Sequence, residues 1–66
     1  MRIQINGEVH TVASGETLES LVLALDLSLD GVALALNRKV VSRREWAIRS
    51  LSEGDRVEIV RAVGGG

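Results

Sequence analysis

The sequence predicts an α+β domain in which a mixed sheet of about five strands carries one helix across one face. Asn6-Gly7 separates two short, alternating segments, and this pair is a strong signal for a tight β-hairpin. An apolar stripe with helical spacing follows over residues 17–26. Three further strand-like segments complete the chain, so the predicted element order is β-β-α-β-β-β.

The opening hairpin is predicted from alternation on both sides of the turn. Residues 2–5 alternate polar and apolar, which suits a half-buried strand with Ile3 and Ile5 facing inward. The second strand is predicted over residues 8–13, with Val12 toward the core. Ser14-Gly15 then interrupts the pattern, so the hairpin ends there.

A helix is predicted from Thr17 to Asp26. Thr17 is a favourable N-cap residue. After it, apolar side chains recur at i, i+3, i+4 and i+7, which places them on one face. They are Leu18, Leu21, Val22 and Leu25. We expect Leu27 and Leu29 to close the end of the helix against the core.

Two strands are predicted after the helix. Residues 32–36 alternate large and small apolar side chains, which indicates a strand with both faces mostly covered. Residues 37–39 are typical of a tight turn, and Val40-Val41 of a short strand. The next segment is polar and turn-like. Three apolar residues within or after it are predicted to face the core: Trp46, Ile48 and Leu51. Of these, Trp46 would close the open end of the core.

The last strand determines the topology. Residues 56–61 follow a Gly-Asp turn and alternate, with Val57 and Ile59 on one face and Glu58 and Val60 on the other. In so short a chain, a final strand fits most simply in the middle of the sheet, beside and parallel to the first strand. This is the β-grasp, or ubiquitin-like, arrangement. We expect it to occupy residues 1–61.

Composition excludes several classes of function. A net charge of −1 argues against nucleic acid or an anionic membrane as the main partner. The chain has no cysteine, which excludes a disulfide framework, a thiolate metal site and a cysteine nucleophile. Its apolar runs are too short to span a bilayer, and no signal segment opens it. We therefore expect a cytoplasmic protein with no metal or cofactor of its own.

Residues 62–66, Ala-Val-Gly-Gly-Gly, are predicted to form a flexible segment, called here the glycine tail. Glycine loses more backbone freedom on ordering than other residues, so such a run does not favour a fold. A frayed chain end is one interpretation. The other is a thin extension, reaching at most about 17 Å, that the narrow channel of a partner could admit.

The chain resembles the ThiS family of sulfur carriers in thiamine biosynthesis over essentially its full length. The segments that carry the resemblance are Ile3-x-Ile5-Asn6-Gly7-Glu8, Val32-Ala33-x-Ala35-x-Asn37, Val41-x-Arg43-x-x-Trp46, Leu51-x-x-Gly54-Asp55-x-Val57-Glu58-Ile59-Val60, and Ala62-Val63-Gly64-Gly65-Gly66. The Gly-Asp turn and Gly-Gly ending also occur in other ubiquitin-like carriers. The short length, the early hairpin and the Arg43 to Trp46 segment favour the thiamine branch.

The resemblance implies a carrier co-substrate and not an enzyme. In this family an E1-like, ATP-dependent enzyme adenylates the C-terminal glycine carboxylate, here that of Gly66. Sulfur from a cysteine desulfurase system then displaces AMP to give a thiocarboxylate, which thiazole synthase uses. Gly64 and Gly65 would let the backbone thread into active sites where a Cβ would clash.

Alternative functions remain open on the sequence. A sulfur carrier of the molybdopterin synthase type would use the same chemistry with another acceptor. A ubiquitin-like protein modifier would form isopeptide bonds to lysines. A plain binding module would make no use of its glycines.

Outside the glycines, partner docking is predicted at four residues. Val60 should lie on the sheet face opposite the helix and form an apolar patch with Val63 beside the tail. Arg43 and Arg44 are most simply solvated loop charges, but they could meet an acidic partner surface. His10 has no acidic partner predicted near it, which indicates a surface or rim residue.

Overall fold

The computed structural model describes residues 1–61, and within them the predicted element order is confirmed. The strands are β1 (Arg2–Ile5), β2 (Glu8–Thr11), β3 (Val32–Leu36), β4 (Lys39–Val41) and β5 (Arg56–Arg61). One α-helix, α1 (Leu18–Ala24), joins β2 to β3, and a 3-10 helix (Arg43–Glu45) follows β4. None of the helices in residues 1–61 is long and apolar enough to cross a membrane.

The strands form one mixed sheet in the order β2-β1-β5-β3-β4. The last strand lies in the centre, parallel to β1, with Gln4 opposite Arg56 and Ile5 opposite Val57. On its other side β5 is antiparallel to β3, from Leu36 opposite Val57 to Val32 opposite Arg61. The predicted β-grasp fold is therefore confirmed.

The first hairpin has the predicted turn, but its second strand is shorter than predicted. Asn6 has φ 49° and Gly7 has φ 87°, the left-handed values that a type I′ turn needs at both central positions. Strand β2 stops at Thr11, two residues before its predicted end. Val12 nevertheless donates its N–H to the Met1 carbonyl at 2.8 Å and packs against the core, so its predicted direction is confirmed.

The helix is fixed at its start by a reciprocal cap. Thr17 Oγ1 accepts from Ser20 N–H at 3.1 Å, and Ser20 Oγ accepts from Thr17 N–H at 2.9 Å. The prediction that Asp26 lies in the helix is wrong, because Asp26 takes φ 62° just past the cap Leu25. This left-handed residue reverses the chain, and Leu27 N–H then bonds to Val22 O at 3.3 Å.

The core lies between α1 and one face of the sheet. It consists of Ile3, Ile5, Leu18, Leu21, Val22, Leu34, Val41, Trp46, Leu51 and Val57. Leu27 and Leu29 pack against it, as predicted. Trp46 is only 2% exposed, and its Nε1–H donates to Val41 O at 2.9 Å, so its predicted role as a plug is confirmed.

Two predictions about packing are wrong. Ile48 is 78% exposed, because the chain continues in helical turns after Glu45. At about 100° per residue, a position two residues after the inward-facing Trp46 points away from the core. Strand β3 is covered on one face only: Leu34 is buried, whereas Ala33 is exposed. The alanines of β3 therefore form part of an open surface.

Candidate functional site

Strand β5 leads directly from the centre of the sheet to the glycine tail. It ends at Arg61. The predicted functional residues Val63, Gly64, Gly65 and Gly66 follow within five positions and lie outside the described residues. The strand end that precedes them is described: β5 lies between β1 and β3 in the sheet, and at Arg61 it is paired with Val32 of β3.

Val60 lies on the sheet face opposite α1, as predicted, and is 62% exposed. Because paired residues of neighbouring strands share a face, Ala33 lies beside Val60, and Val40 lies beside Ala35. Val40 is 83% exposed. Glu58 lies beside Ala35 on the same face. We call this surface, formed by Ala33, Ala35, Val40, Glu58 and Val60, the open face; within residues 1–61 no element covers it.

Arg43 and Arg44 lie in the 3-10 helix after β4, at the end of the sheet where β3 begins and β5 ends. Arg43 is not simply solvated. Its Cζ lies 5.3 Å from the centroid of the Trp46 ring, and its Nη1 lies 3.5 Å from Asp30 Oδ1. Arg44 is exposed and takes part in none of the ion pairs of residues 1–61.

His10 is a partly exposed residue of the edge strand β2, so the predicted surface or rim position is confirmed. The expectation that it lacks a nearby acidic partner is wrong, because Glu8 Oε1 lies 3.7 Å from His10 Nε2. Residues two apart in a strand share a face, which explains the contact. Residues 1–61 contain no group of three or more acidic or histidine side chains that could hold a metal ion.

Two asparagine side chains that sequence reasoning left unassigned hold β5 from opposite sides. Asn6 Oδ1 accepts from Ile59 N–H at 2.8 Å, and Asn6 Nδ2 donates to Ile59 O at 3.2 Å. Asn37 Oδ1 accepts from Arg56 N–H at 3.0 Å, and its Nδ2 donates to Asp55 Oδ1 at 3.1 Å. The sequence shows an asparagine at each of the two hairpin turns, but it does not show which strand either side chain contacts.

The ThiS family model matches residues 3–66, which includes the whole of β5 and the glycine tail. The chain belongs to the ThiS family. It is 33% identical to the sulfur carrier protein ThiS of Escherichia coli (strain K12), over 100% of both chains. Membership of this family, together with this relative, confirms the prediction of a small carrier protein and not a catalyst.

A longer relative matches only in part. The chain is 41% identical, over all of its 66 residues, to a thiazole synthase of Magnetococcus marinus, but it spans about a fifth (20%) of the length of that protein. Among solved structures, the crystal structure of the thiamine biosynthesis protein ThiS from Geobacter metallireducens matches with a TM-score of 0.85 and 30% identity. That match covers 100% of both chains, and it supports the β-grasp fold.

Proposed function

We propose that this chain is a sulfur carrier of thiamine biosynthesis and that the sulfur is carried on the carboxylate of Gly66. The observation that carries the proposal is the family match, because it extends through residue 66 and so includes the glycines. The full-length similarity to the Escherichia coli sulfur carrier supports the same function.

The proposed reaction has two steps on the same carbon. A carboxylate is a poor electrophile, because its charge repels a nucleophile and oxide would have to leave. An E1-like enzyme therefore transfers AMP from ATP to the Gly66 carboxylate and releases pyrophosphate. A thiol reductant releases sulfide from the persulfide of a cysteine desulfurase, and this sulfide then attacks the acyl carbon. The C–S bond forms as AMP leaves, which yields the thiocarboxylate.

The position of β5 supports this use of the chain end. A tail that leaves from the central strand starts beside the open face, so a partner bound there could also reach the tail. Gly64 and Gly65 offer no Cβ that would clash with the walls of a narrow channel. We propose that residues 62–66 extend into the active site of the partner while the folded residues 1–61 remain outside and provide the binding surface.

We further propose thiazole synthase as the sulfur acceptor. The similarity between this chain and a fifth of the length of one thiazole synthase supports the pairing. Joining a carrier and its acceptor in one polypeptide would raise their effective concentration. The structurally similar protein of Geobacter metallireducens is named a thiamine biosynthesis protein, and this name together with the thiazole synthase similarity favours this acceptor over molybdopterin synthase and over protein lysines.

For docking, we propose that Val60 and Val63 contribute apolar contacts beside the tail and that Arg43 and Arg44 contribute charge. Of the two arginines, Arg44 is the better candidate for a partner contact, because Arg43 already contacts Trp46 and Asp30. Exposed charges of this kind affect the association rate more than the affinity.

The test is the intact mass of the protein after incubation with its activating enzyme, ATP and sulfide, followed by thiol-selective alkylation. Replacing one oxygen by sulfur changes the mass almost as much as oxidation of Met1, so the alkylation distinguishes the two products. We expect an ATP-dependent, alkylated product that maps to Gly66. Absence of this product with an enzyme of demonstrated activity would refute the proposal.

A further inference from the structure

Strands β1 and β5 are parallel, but β1 ends first. Asn6 follows the last residue of β1, and its backbone N–H still donates to Val57 O at 2.9 Å. At Asn6 the chain turns away into the hairpin with φ 49°. Strand β5 continues to Arg61, so its side facing β1 needs another partner beyond Val57.

The Asn6 side chain supplies that partner. Its carboxamide accepts from Ile59 N–H at 2.8 Å and donates to Ile59 O at 3.2 Å. In a continued parallel ladder, the main-chain carbonyl of Asn6 would accept from Ile59 N–H and the N–H two residues later would donate to Ile59 O, and the planar amide of the side chain supplies both groups instead. The side chain therefore extends the ladder by one step after the main chain has left the sheet.

The residue type meets two requirements together. The turn needs a left-handed backbone, which asparagine tolerates better than most residues. The contact with Ile59 needs both a donor and an acceptor. Aspartate would lose the donor when ionised, and glycine would lose both groups. Asparagine alone among the residues suited to the turn satisfies both.

We propose that Asn6 is a positioning residue for the glycine tail, a role that rests on the proposed carrier function. Ile59 lies two residues before the end of β5. By fixing the side of β5 opposite β3, Asn6 holds the last residues of the strand and thus the point and direction from which residues 62–66 extend. Without this contact, the last residues of β5 are held by β3 alone, so they have more freedom to lose when a partner binds, which lowers the apparent affinity.

Asn37 provides a matched control. It has φ 51°, it follows β3 in the second hairpin, and its side chain also accepts from a β5 amide, that of Arg56. Arg56 is the first residue of β5 and Ile59 the fourth, so Asn37 holds the start of the strand and Asn6 the end. Replacing either asparagine by glycine keeps the left-handed backbone favourable and removes only the side-chain bonds.

The experiment compares Asn6→Gly and Asn37→Gly with the unchanged chain in ATP-dependent thiocarboxylation by the activating enzyme. For Asn6→Gly we expect KM for the carrier to rise about fivefold, because about one more residue must be ordered on binding. We expect kcat to stay within about twofold of the value for the unchanged chain. For Asn37→Gly we expect KM to change by less than about twofold, since the end of β5 remains held. Amide hydrogen exchange should accelerate at Ile59 in Asn6→Gly and stay unchanged there in Asn37→Gly.

Equal increases of KM in the two variants would overturn the proposal, because they would reflect general destabilisation. An unchanged KM in Asn6→Gly would also overturn it. If the unchanged chain is not thiocarboxylated, the carrier function fails instead, and exchange at Ile59 still decides whether Asn6 holds the strand end. Urea unfolding of both variants shows whether their losses of stability match.

Discussion

The two faces of the sheet differ in what they contribute. The face toward α1 carries the buried residues of the sheet, among them Ile3, Leu34 and Val57, each 1% exposed. The open face carries alanines, exposed valines and Glu58, and within residues 1–61 nothing covers it. Strand β5 contributes to both faces through alternate side chains and then leads to the glycine tail. Stability is thus built on one face, which leaves the other available to a partner.

The largest effect is expected at the plug of the covered face. Trp46→Ala removes a fully buried ring and leaves a cavity, which should lower the free energy of unfolding by about 4 kcal/mol. Such a loss is most of the stability of a small domain. The control Ile48→Ala, at a position 78% exposed, should change it by less than about 0.5 kcal/mol. Urea unfolding followed by circular dichroism measures both, and a similar cost in the two variants would contradict the assignment.

Strand β5 alone shows the difference between the two faces of the sheet. Val57 is 1% exposed and Val60 is 62% exposed, three residues apart in the same strand. Val57→Ala should cost about 2 kcal/mol of unfolding free energy, because it opens a cavity under the helix. Val60→Ala should cost less than about 0.5 kcal/mol.

The same valine pair should show the opposite order in partner binding. Val60→Ala should weaken binding to the activating enzyme, whereas Val57→Ala, once folded, should not. Calorimetric titration at a temperature where both variants are folded gives the two affinities. Weaker binding for Val57→Ala alone would place the partner on the other face.

A smaller effect is expected at the start of the helix that covers the buried face. Thr17→Ala removes the side-chain acceptor of the Ser20 N–H and should lower the unfolding free energy by about 1 kcal/mol. Thr17→Ser keeps the hydroxyl and serves as the control. A thermal melt that leaves both variants at the same midpoint would show that the cap contributes nothing.

The smallest expected effect separates the two neighbouring arginines. Arg43→Ala removes the contact with the Trp46 ring and should cost about 0.5–1 kcal/mol, since the site is partly exposed. Arg44→Ala should leave stability unchanged and lower the association rate with an acidic partner. Stopped-flow binding at low and high salt checks this difference. Equal association rates for the two variants would show that Arg44 is not part of the docking surface.

Much of the fold could be predicted because its signals are local. The Asn6-Gly7 turn, the Thr17 cap and the alternation of β5 each depend on a few neighbouring residues. The predictions for Ile48 and for the coverage of β3 were wrong because packing decides both. Nothing near Ile48 in sequence indicates that the helical turn continues through it, and Ala33 is equally compatible with a covered or an open face. Local sequence patterns do not show whether another element packs against a given face of the sheet.

The candidate site divides in the same way. The glycines and their proposed chemistry could be predicted from residue type and family resemblance, and Val60 from strand alternation. The contact of Asn6 with Ile59 joins residues 53 positions apart, so it required the structure. The ring contact of Arg43 likewise depends on how the 3-10 helix returns to the core.

We propose that residues 1–61 supply the fold and that Gly66 supplies the chemistry. Intact-mass analysis of the full chain and of a variant lacking Gly65 and Gly66, after reaction with activating enzyme, ATP, sulfide and a thiol-selective reagent, tests this division. The full chain should gain an ATP-dependent, alkylated thiocarboxylate. The shortened chain should gain none, although its urea unfolding curve should match that of the full chain. An alkylated product on the shortened chain would show that Gly66 does not carry the sulfur, and its unfolding at clearly lower urea would show that the last glycines contribute to the fold.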